Sequence, residues 1–586
     1  MTLDIVVFIR KITLLGLDLC YTLHRFCQDG HTYNEEPSSI FTDSCSAHVF
    51  SLLALAHSPP SVRPLCPDHK SINLDRSAFS SQIPLQVSKL SRLFVLDLSH
   101  NDDPSTGNRL RLKDPGLEKL VQNLSHLAYL NLDSVDMSSP VFLPEFQPNS
   151  RLREIFVYIT IFFGKLPPSV RRLAHLENLD LSANGFSGSI PSSLGNLTKL
   201  TGLKLSYNGF SGDIPFSLAN LTQLEALGLS YVNLDRSQQL HSLLFNLNKL
   251  MMLLLTGMNL ATEIPSFISN LTRLECLDLL ENQLIGQIPP WLMNQTRLEY
   301  VSLDENHLRG PIPQEIFQQV NLQGLGFSYS GDLHGNFDPF LKLQFLTLLA
   351  LDGQFPEDTA SNKSHPKLKF IFLSSCNLAE FPQFLRSQDE LEIVSMAHNQ
   401  IHGLIPQWFL NISTESLHIL RLSHNNLTAF EHSVKMLPWN YLKILQLNGN
   451  QLQGSLPMPP TSMQIYQVSN NQLHSSANIC HASSLKYLDI SNNDLGGHIP
   501  DCISELARSL VMLNMQGNNF HVMINVSQNQ LEGGIPRSLV YCSMLVVLDI
   551  GQNCVNDTFP SWLGSLPNFQ VLVLRHNNFH GRIMDR

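Results

Sequence analysis

Charge is scarce in this chain. Only 15% of its 586 residues are Asp, Glu, Lys or Arg, and 49 acidic residues against 38 basic ones leave a formal net charge of −11. A nucleic-acid binder normally carries a basic stripe, so that class is disfavoured. No run of 18 or more apolar residues occurs; the nearest, IFVYITIFF from Ile155 to Phe163, is nine long. That is too short to cross a bilayer as a helix. The 10 cysteines are too few for a small disulfide scaffold, and none forms a CxxC pair, which removes zinc-ribbon and thioredoxin readings. GxSxG, HExxH, a P-loop and a GxGxxG in a βαβ context are all missing, and the 23 histidines are scattered. An enzyme needs converging groups in a closed pocket. The expectation is a non-catalytic protein with no metal site and no cofactor.

What is abundant is one phrase. LSANGFSGSIPSSLGNLTKL, from Leu181, restarts as LSYNGFSGDIPFSLANLTQL at Leu205, a step of 24. Units of the form LxxLxLxxN end at Asn101, Asn184, Asn208, Asn282, Asn306, Asn399, Asn425, Asn450, Asn471, Asn493, Asn518, Asn553 and Asn577. Weaker units end at Val135, Thr160, Val232, Met258, Ser330, Gln354 and Cys376, and the steps are mostly 21 to 26. Self-similarity at this period is the signature of a leucine-rich-repeat solenoid.

The physics of one unit explains the repetition. In LENLDLSAN, Leu176, Leu179 and Leu181 point to one side, while Asp180 and Ser182 point to the other; alternation at period two is a short strand. One such strand cannot bury its leucines alone, and stacking the next coil on it closes a continuous core. The Asn that ends each strand turns inward, where its amide satisfies backbone groups out of reach of water. Cys376 suits the same slot as a weak donor. Val232 and Met258 cannot bond there, so loosening is expected around them unless Asn233 and Asn259 substitute. A second signature, GxIP, follows at Gly188–Pro191, Gly212–Pro215, Gly286–Pro289, Gly310–Pro313, Gly403–Pro406, Gly497–Pro500 and Gly533–Pro536. Gly permits the turn and Pro opens the outer helical segment. The predicted fold class is therefore an α/β repeat solenoid: a short parallel β-sheet on the concave face, and 3₁₀ or irregular turns on the convex face. Residues 1–71 form a non-repeat N-terminus, and 72–586 carry about twenty coils.

The open sheet face is the candidate functional surface. The residue before each Asn slot points to it, which nominates Tyr207, Tyr231, Glu281, Glu305, Tyr329, His398 and His424. A neighbouring column adds Lys204 and Arg421, with Asp278 and Ser302 among its other members. Tyr and Arg dominate binding hot spots, and none of these is needed for the core. Asn-x-Ser/Thr sequons at Asn123, Asn196, Asn220, Asn270, Asn294, Asn362, Asn411, Asn426, Asn525 and Asn556 are glycosylation candidates. Five of them precede an Asn slot by 12 residues, which sets them on the outer turns, either as glycan sites or as local caps. Cys480 and Cys502 each lie nine residues after a ladder Asn. Equal offsets in adjacent coils would bring them within disulfide reach.

The phrases KDPGLEKLVQNLSHLAYLNLDSVDMSS (Lys113–Ser139), LPEFQPNSRLREI (Leu143–Ile155) and SSANICHASSLKYLDISNNDLGGHIPDC (Ser475–Cys502) carry a closer resemblance. From about Leu117 onward the chain resembles plant receptor-like proteins of the extracellular leucine-rich-repeat class. That resemblance implies a ligand-binding ectodomain at the plant cell surface, in defence and pathogen perception or in development. It also implies a peptide, protein or glycan ligand, and signalling through partner receptor kinases. Against the family pattern the chain reads as truncated at its C-terminus, without the transmembrane segment. A displaced signal-like stretch lies at 47–57, and Cys66 stands as a remnant of the N-terminal cap. Joints near Val141 and between Asn518 and Asn529 read as irregular. The competing readings are a non-functional truncated fragment and a solenoid resembling polygalacturonase inhibitors.

Overall fold

The computed structural model describes residues 70–583 except 78, 81, 102–108, 113–116, 138–149, 235–238, 330–331, 336, 338, 355–364, 476–480, 498–510, 516, 521–531, 536–546 and 568. It divides into two compact units. The first is Met1–Arg309 with Pro313–Leu322, and the second is Gly310–Ile312 with Gln323–Arg586.

Each unit is a stack of coils, and each coil contributes one three-residue strand to a parallel sheet. In the first unit these strands include Val95–Asp97, Tyr129–Asn131, Glu154–Phe156, Asn178–Asp180, Gly202–Lys204, Ala226–Gly228, Met252–Leu254 and Cys276–Asp278. Register follows the repeat directly: Leu179 pairs with Leu203, and Asp180 with Lys204. The sheet passes the joint near Val141 without a break, because Leu130 pairs with Ile155. In the second unit the strands include Phe370–Phe372, Ile393–Ser395, Ile419–Arg421, Ile444–Gln446, Ile465–Gln467 and Tyr487–Asp489. Across the second joint, Met512 pairs with Val547.

The inward positions are the core. Leu176, Leu179, Leu181, Leu194, Leu197 and Leu200 are all at most 1% exposed, and full burial of one such side chain stabilises by about 1.5–3 kcal/mol. Two residues past the Asn slot, Phe162, Phe186 and Phe210 form a buried spine, with ring centroids 6.1 and 6.0 Å apart. At the outer turn Gly188 has φ 77°, a region that favours glycine. Pro191 then precedes the 3₁₀ turn Ser192–Asn196, and its carbonyl accepts the Leu194 N–H.

The Asn ladder works as the sequence predicts. The Asn208 Nδ2 donates to the carbonyls of Leu181 (2.8 Å), Leu205 and Ser206, while its Oδ1 accepts the Phe186 N–H. Cys376 uses its thiol in the same slot, 3.1 Å from the Leu351 carbonyl. The gap at Val232 and Met258 closes in a way the sequence does not suggest. Asn259 is exposed with φ 54° and takes no ladder role. Instead, Asn282 Oδ1 accepts the Met258 and Leu260 N–H groups. Two residues earlier in the coil, a hydroxyl ladder runs alongside. Ser206 Oγ accepts from Ser230 N–H, Ser230 Oγ accepts from Thr256 N–H, and Thr256 Oγ1 donates to Asp278. A short hydroxyl can bond the next strand's backbone, so the expected loosening is replaced by a second ladder.

Candidate ligand-binding face

The residue before each Asn slot has a left-handed backbone almost throughout. Its φ is 54° at Ala183, 56° at Tyr207 and Tyr231, 51° at Glu281, 52° at Glu305, 53° at Tyr329, 55° at His398 and 56° at His424. The cause is the ladder. The Asn amide grips the carbonyls two and three residues back, and the residue before it donates its own N–H to the next coil, as Tyr207 does to Ser230 at 2.8 Å. That conformation costs a non-glycine residue on the order of 1 kcal/mol, and the surrounding bonds hold it. It turns each side chain away from the core. Tyr207 is 37% exposed and Tyr329 57%.

In the first unit these side chains form a connected set. Lys204 Nζ lies 3.9 Å from Asp180, and the Tyr207 and Tyr231 rings sit 4.7 Å apart. The Tyr231 hydroxyl donates to the Glu281 carboxylate two coils away. Gly257 makes that reach possible: a Cβ there would fall 2.5 Å from the Tyr231 ring. Burial, then Glu281, raises the Glu305 carboxyl above its ordinary range. Asp278 is a correction to the sequence reading. It is 2% exposed and pushed up to about 6 by burial, while accepting from the Thr256 hydroxyl and the Leu280 N–H. Its carboxylate caps backbone rather than facing a ligand. Ser302 is also buried and donates to Asp304.

Sequence reasoning missed a second group in this unit. Asp75, Asp133 and Asp180 face outward in the early coils, beside Tyr129 and Phe156, whose rings are 5.7 Å apart, whereas Asp97 is only 6% exposed and accepts the Ser99 N–H and hydroxyl. Asp133 is pushed up to about 8 by burial and then by Asp180, although its carboxylate accepts the Tyr158 N–H. Asp97 and Asp180 end their strands, while Asp75 and Asp133 stand two residues beyond theirs, so no single repeat position marks the group.

In the second unit His398 and His424 stack face to face, with centroids 4.4 Å apart. Burial, then His424, holds the His398 imidazole below its ordinary pKa. Arg421 shares the column but is only 9% exposed, so it is not the open contact that its position suggested. Beyond the imidazoles the outward groups include amide pairs, and the Gln446–Gln467 column runs on to Asp489. Gln446 donates to Gln467 at 2.6 Å, and Asn492 to Asn470 at 3.0 Å.

Asn123, Asn196, Asn220, Asn270, Asn294, Asn411, Asn426 and Asn556 are exposed. Asn196, Asn220 and Asn270 end 3₁₀ turns, and their side chains take no partner in the described structure. Asn411 and Asn426 accept from Gln407 and Gln451. Asn362, Asn525, Cys480 and Cys502 lie outside the described residues. Among the described residues, no group of three or more His, Cys, Asp or Glu side chains could hold a metal ion. No helix there is long and apolar enough to cross a membrane.

The Leucine Rich Repeat family model matches residues 175–197, 199–221 and 484–506. Receptor-like protein 35 of Arabidopsis thaliana is 34% identical over 258 residues, which cover 41% of this chain and 26% of that protein. Receptor like protein 27 of Arabidopsis thaliana is 37% identical over 278 residues, covering 45% and 34%. The matched stretches thus span about a quarter to a third of those relatives. Among solved structures, the ectodomain of the Arabidopsis receptor kinase HAESA, in complex with an N-terminally extended IDA peptide hormone, is 26% identical. It has a TM-score of 0.51, with 87% of this chain and 82% of that one covered.

Proposed function

We propose that the chain, which matches the Leucine Rich Repeat model and resembles plant receptor-like proteins, is a non-catalytic, ligand-binding ectodomain of the plant cell surface. It holds a peptide, protein or glycan on its outward sheet face and passes the signal to partner receptor kinases, in defence or in development. One observation carries this reading. The positions that repeat are buried, while the positions that vary are turned outward at an energetic cost the ladder sustains. Tyr207, Tyr231, Glu281, Glu305 and Lys204 in the first unit, and Tyr329, His398 and His424 in the second, are the proposed contacts. Glycans on Asn196, Asn220 and Asn270 would stand on the turns and leave the sheet open.

The test is thermal stabilisation of the purified chain by extracellular fluid from challenged plant tissue. A ligand that binds only the folded state raises the melting temperature. The shift should vanish in Tyr207→Glu and persist in Asn220→Gln. No shift, or one that survives Tyr207→Glu and is lost in Asn220→Gln, would overturn the proposal.

A further inference from the structure

Two kinds of strand make up the sheet of the first unit. In Tyr129–Asn131, Glu154–Phe156 and Asn178–Asp180 the middle residue is buried and the two outward residues are half-exposed. An open face gives this pattern, because alternate side chains leave a strand on opposite sides. In Met252–Leu254, Cys276–Asp278 and Tyr300–Ser302 all three residues are buried. Register keeps the roles fixed: Met252, Cys276 and Tyr300 continue the outward column of Asn178, and Leu254, Asp278 and Ser302 that of Asp180. Met252 is 2% exposed, Leu254 1%, Cys276 0% and Tyr300 6%. Burial, then Glu299, pushes the Tyr300 phenol up to about 12. Among the described residues, the substantial contacts of these strands are with neighbouring strands of the same sheet. A neighbour within the sheet does not close the face above it.

Cys276 points to what lies there. It is disulfide-bonded, and Cys376 and Cys554 are free. Its partner is therefore one of the cysteines outside the described residues: Cys20, Cys27, Cys45, Cys66, Cys480, Cys502 or Cys542. The compact unit that holds Cys276 begins at Met1, whereas Cys480, Cys502 and Cys542 belong to the other. Reach narrows the choice further. Eight strand steps separate Ser71–Asn73 from Cys276–Asp278, roughly 38 Å at the usual strand spacing. Cys66 stands five residues before Ser71 and spans roughly 18 Å at most when fully extended. Cys45, Cys27 and Cys20 have the length.

We propose that residues 1–69 lie over the outward face of Met252–Leu254, Cys276–Asp278 and Tyr300–Ser302, fastened to Cys276 by a disulfide from Cys20, Cys27 or Cys45, and close that part of the face to a ligand. The chemistry agrees. The runs IVVFI (Ile5–Ile9) and ITLLGL (Ile12–Leu17), the second just ahead of Cys20, are apolar, as is the column of Met252, Cys276 and Tyr300 that they would cover. Apolar area removed from water supplies the affinity, and the covalent tether keeps the segment at high effective concentration. Ligand contact with Glu281 and Glu305, in the covered coils, then requires the segment to leave, while Lys204, Tyr207 and Tyr231 in the earlier coils stay open. This cover is separate from the receptor reading, whose contacts at Tyr207 and Tyr231 remain without it.

The experiment blocks the full chain with N-ethylmaleimide under denaturing conditions without reduction, then digests it for mass spectrometry. The expected product is a disulfide-linked pair joining the Cys276 peptide to one that carries Cys20, Cys27 or Cys45. A maleimide adduct on Cys276, a link to any other cysteine, or an intact mass from which residues 1–56 have been removed would overturn the inference. A second measurement places benzoylphenylalanine at Tyr300 or at Asn178 in the full chain and irradiates each. Position 300 should capture a peptide from within residues 1–69, and position 178 several-fold less. Equal capture from the two positions, or none from 300, would overturn the cover even where the disulfide is found. Each of these failures leaves the receptor reading to the extracellular-fluid assay.

Discussion

In the second unit the outward side chains bond one another along the stack; in the first, many of them cannot. Gln446 and Gln467, and Asn470 and Asn492, are amide pairs in adjacent coils. An amide carries both donor and acceptor, so a column of amides satisfies itself. Asp97, Asp133 and Asp180 carry acceptors alone, and burial, then repulsion from Asp180, raises the protonation range of Asp133. The same coil thus carries amides that bond along the stack in one place and, in another, carboxylates that accept within their own coil, as Asp97 does from Ser99 and Asp180 from Ser182. The difference is the choice of amide or carboxylate at positions the core does not constrain.

Four changes break or sharpen this contrast. The largest effect should be common to both units, because the ladder is. Asn208→Ala and Asn450→Ala each remove three or more hydrogen bonds and should destabilise their own unit by about 3 kcal/mol. Hydrogen exchange of the flanking strands reads the loss. A much smaller loss in one unit would mean that the ladders are not equivalent.

Next, Gln446→Glu with Gln467→Glu imposes the first unit's chemistry on the second. Two facing carboxylates should destabilise it by about 1–2 kcal/mol at pH 7 and by little at pH 4, as followed by urea unfolding. A pH-independent loss would point to packing instead.

Third, Asp133 has its folded pKa raised to about 8, so between roughly pH 4 and pH 8 the native state binds more protons than the unfolded one. Its contribution to stability is therefore present at low pH and is lost as pH rises through that window. Asp133→Asn should match the wild-type melting temperature best near pH 4 and exceed it by a few degrees at pH 8. A constant difference would remove the electrostatic explanation.

The smallest expected effect is Ala183→Gly, which relieves a left-handed alanine and should be neutral to stabilising by up to about 1 kcal/mol. Clear destabilisation would show that the backbone there is not strained.

The fold was legible because its determinants are local and repeated. Leu179, Leu181, Asn184, Gly188 and Pro191 each specify their own coil, and the structure uses each as the pattern implies. The outward face was less legible because its chemistry is set between coils. Tyr231 meets Glu281 only because Gly257 leaves a gap. Ser230 bridges Ser206 and Thr256 only because the coils fall in register. Asp278 looked like a surface carboxylate until Thr256 and the Leu280 N–H were placed against it. Nor could the left-handed backbone at Ala183 or Tyr207 be read from the residues, which do not favour it. It is imposed by the asparagine that follows.

The most direct test of the account places a photocrosslinking benzoylphenylalanine at Ala183, in the outward column, or at Ser192, on the outer turn, and irradiates each in extracellular fluid from challenged plant tissue. The account predicts capture from position 183 and none from position 192. Capture from position 192 alone would show that recognition lies on the turns and not on the sheet.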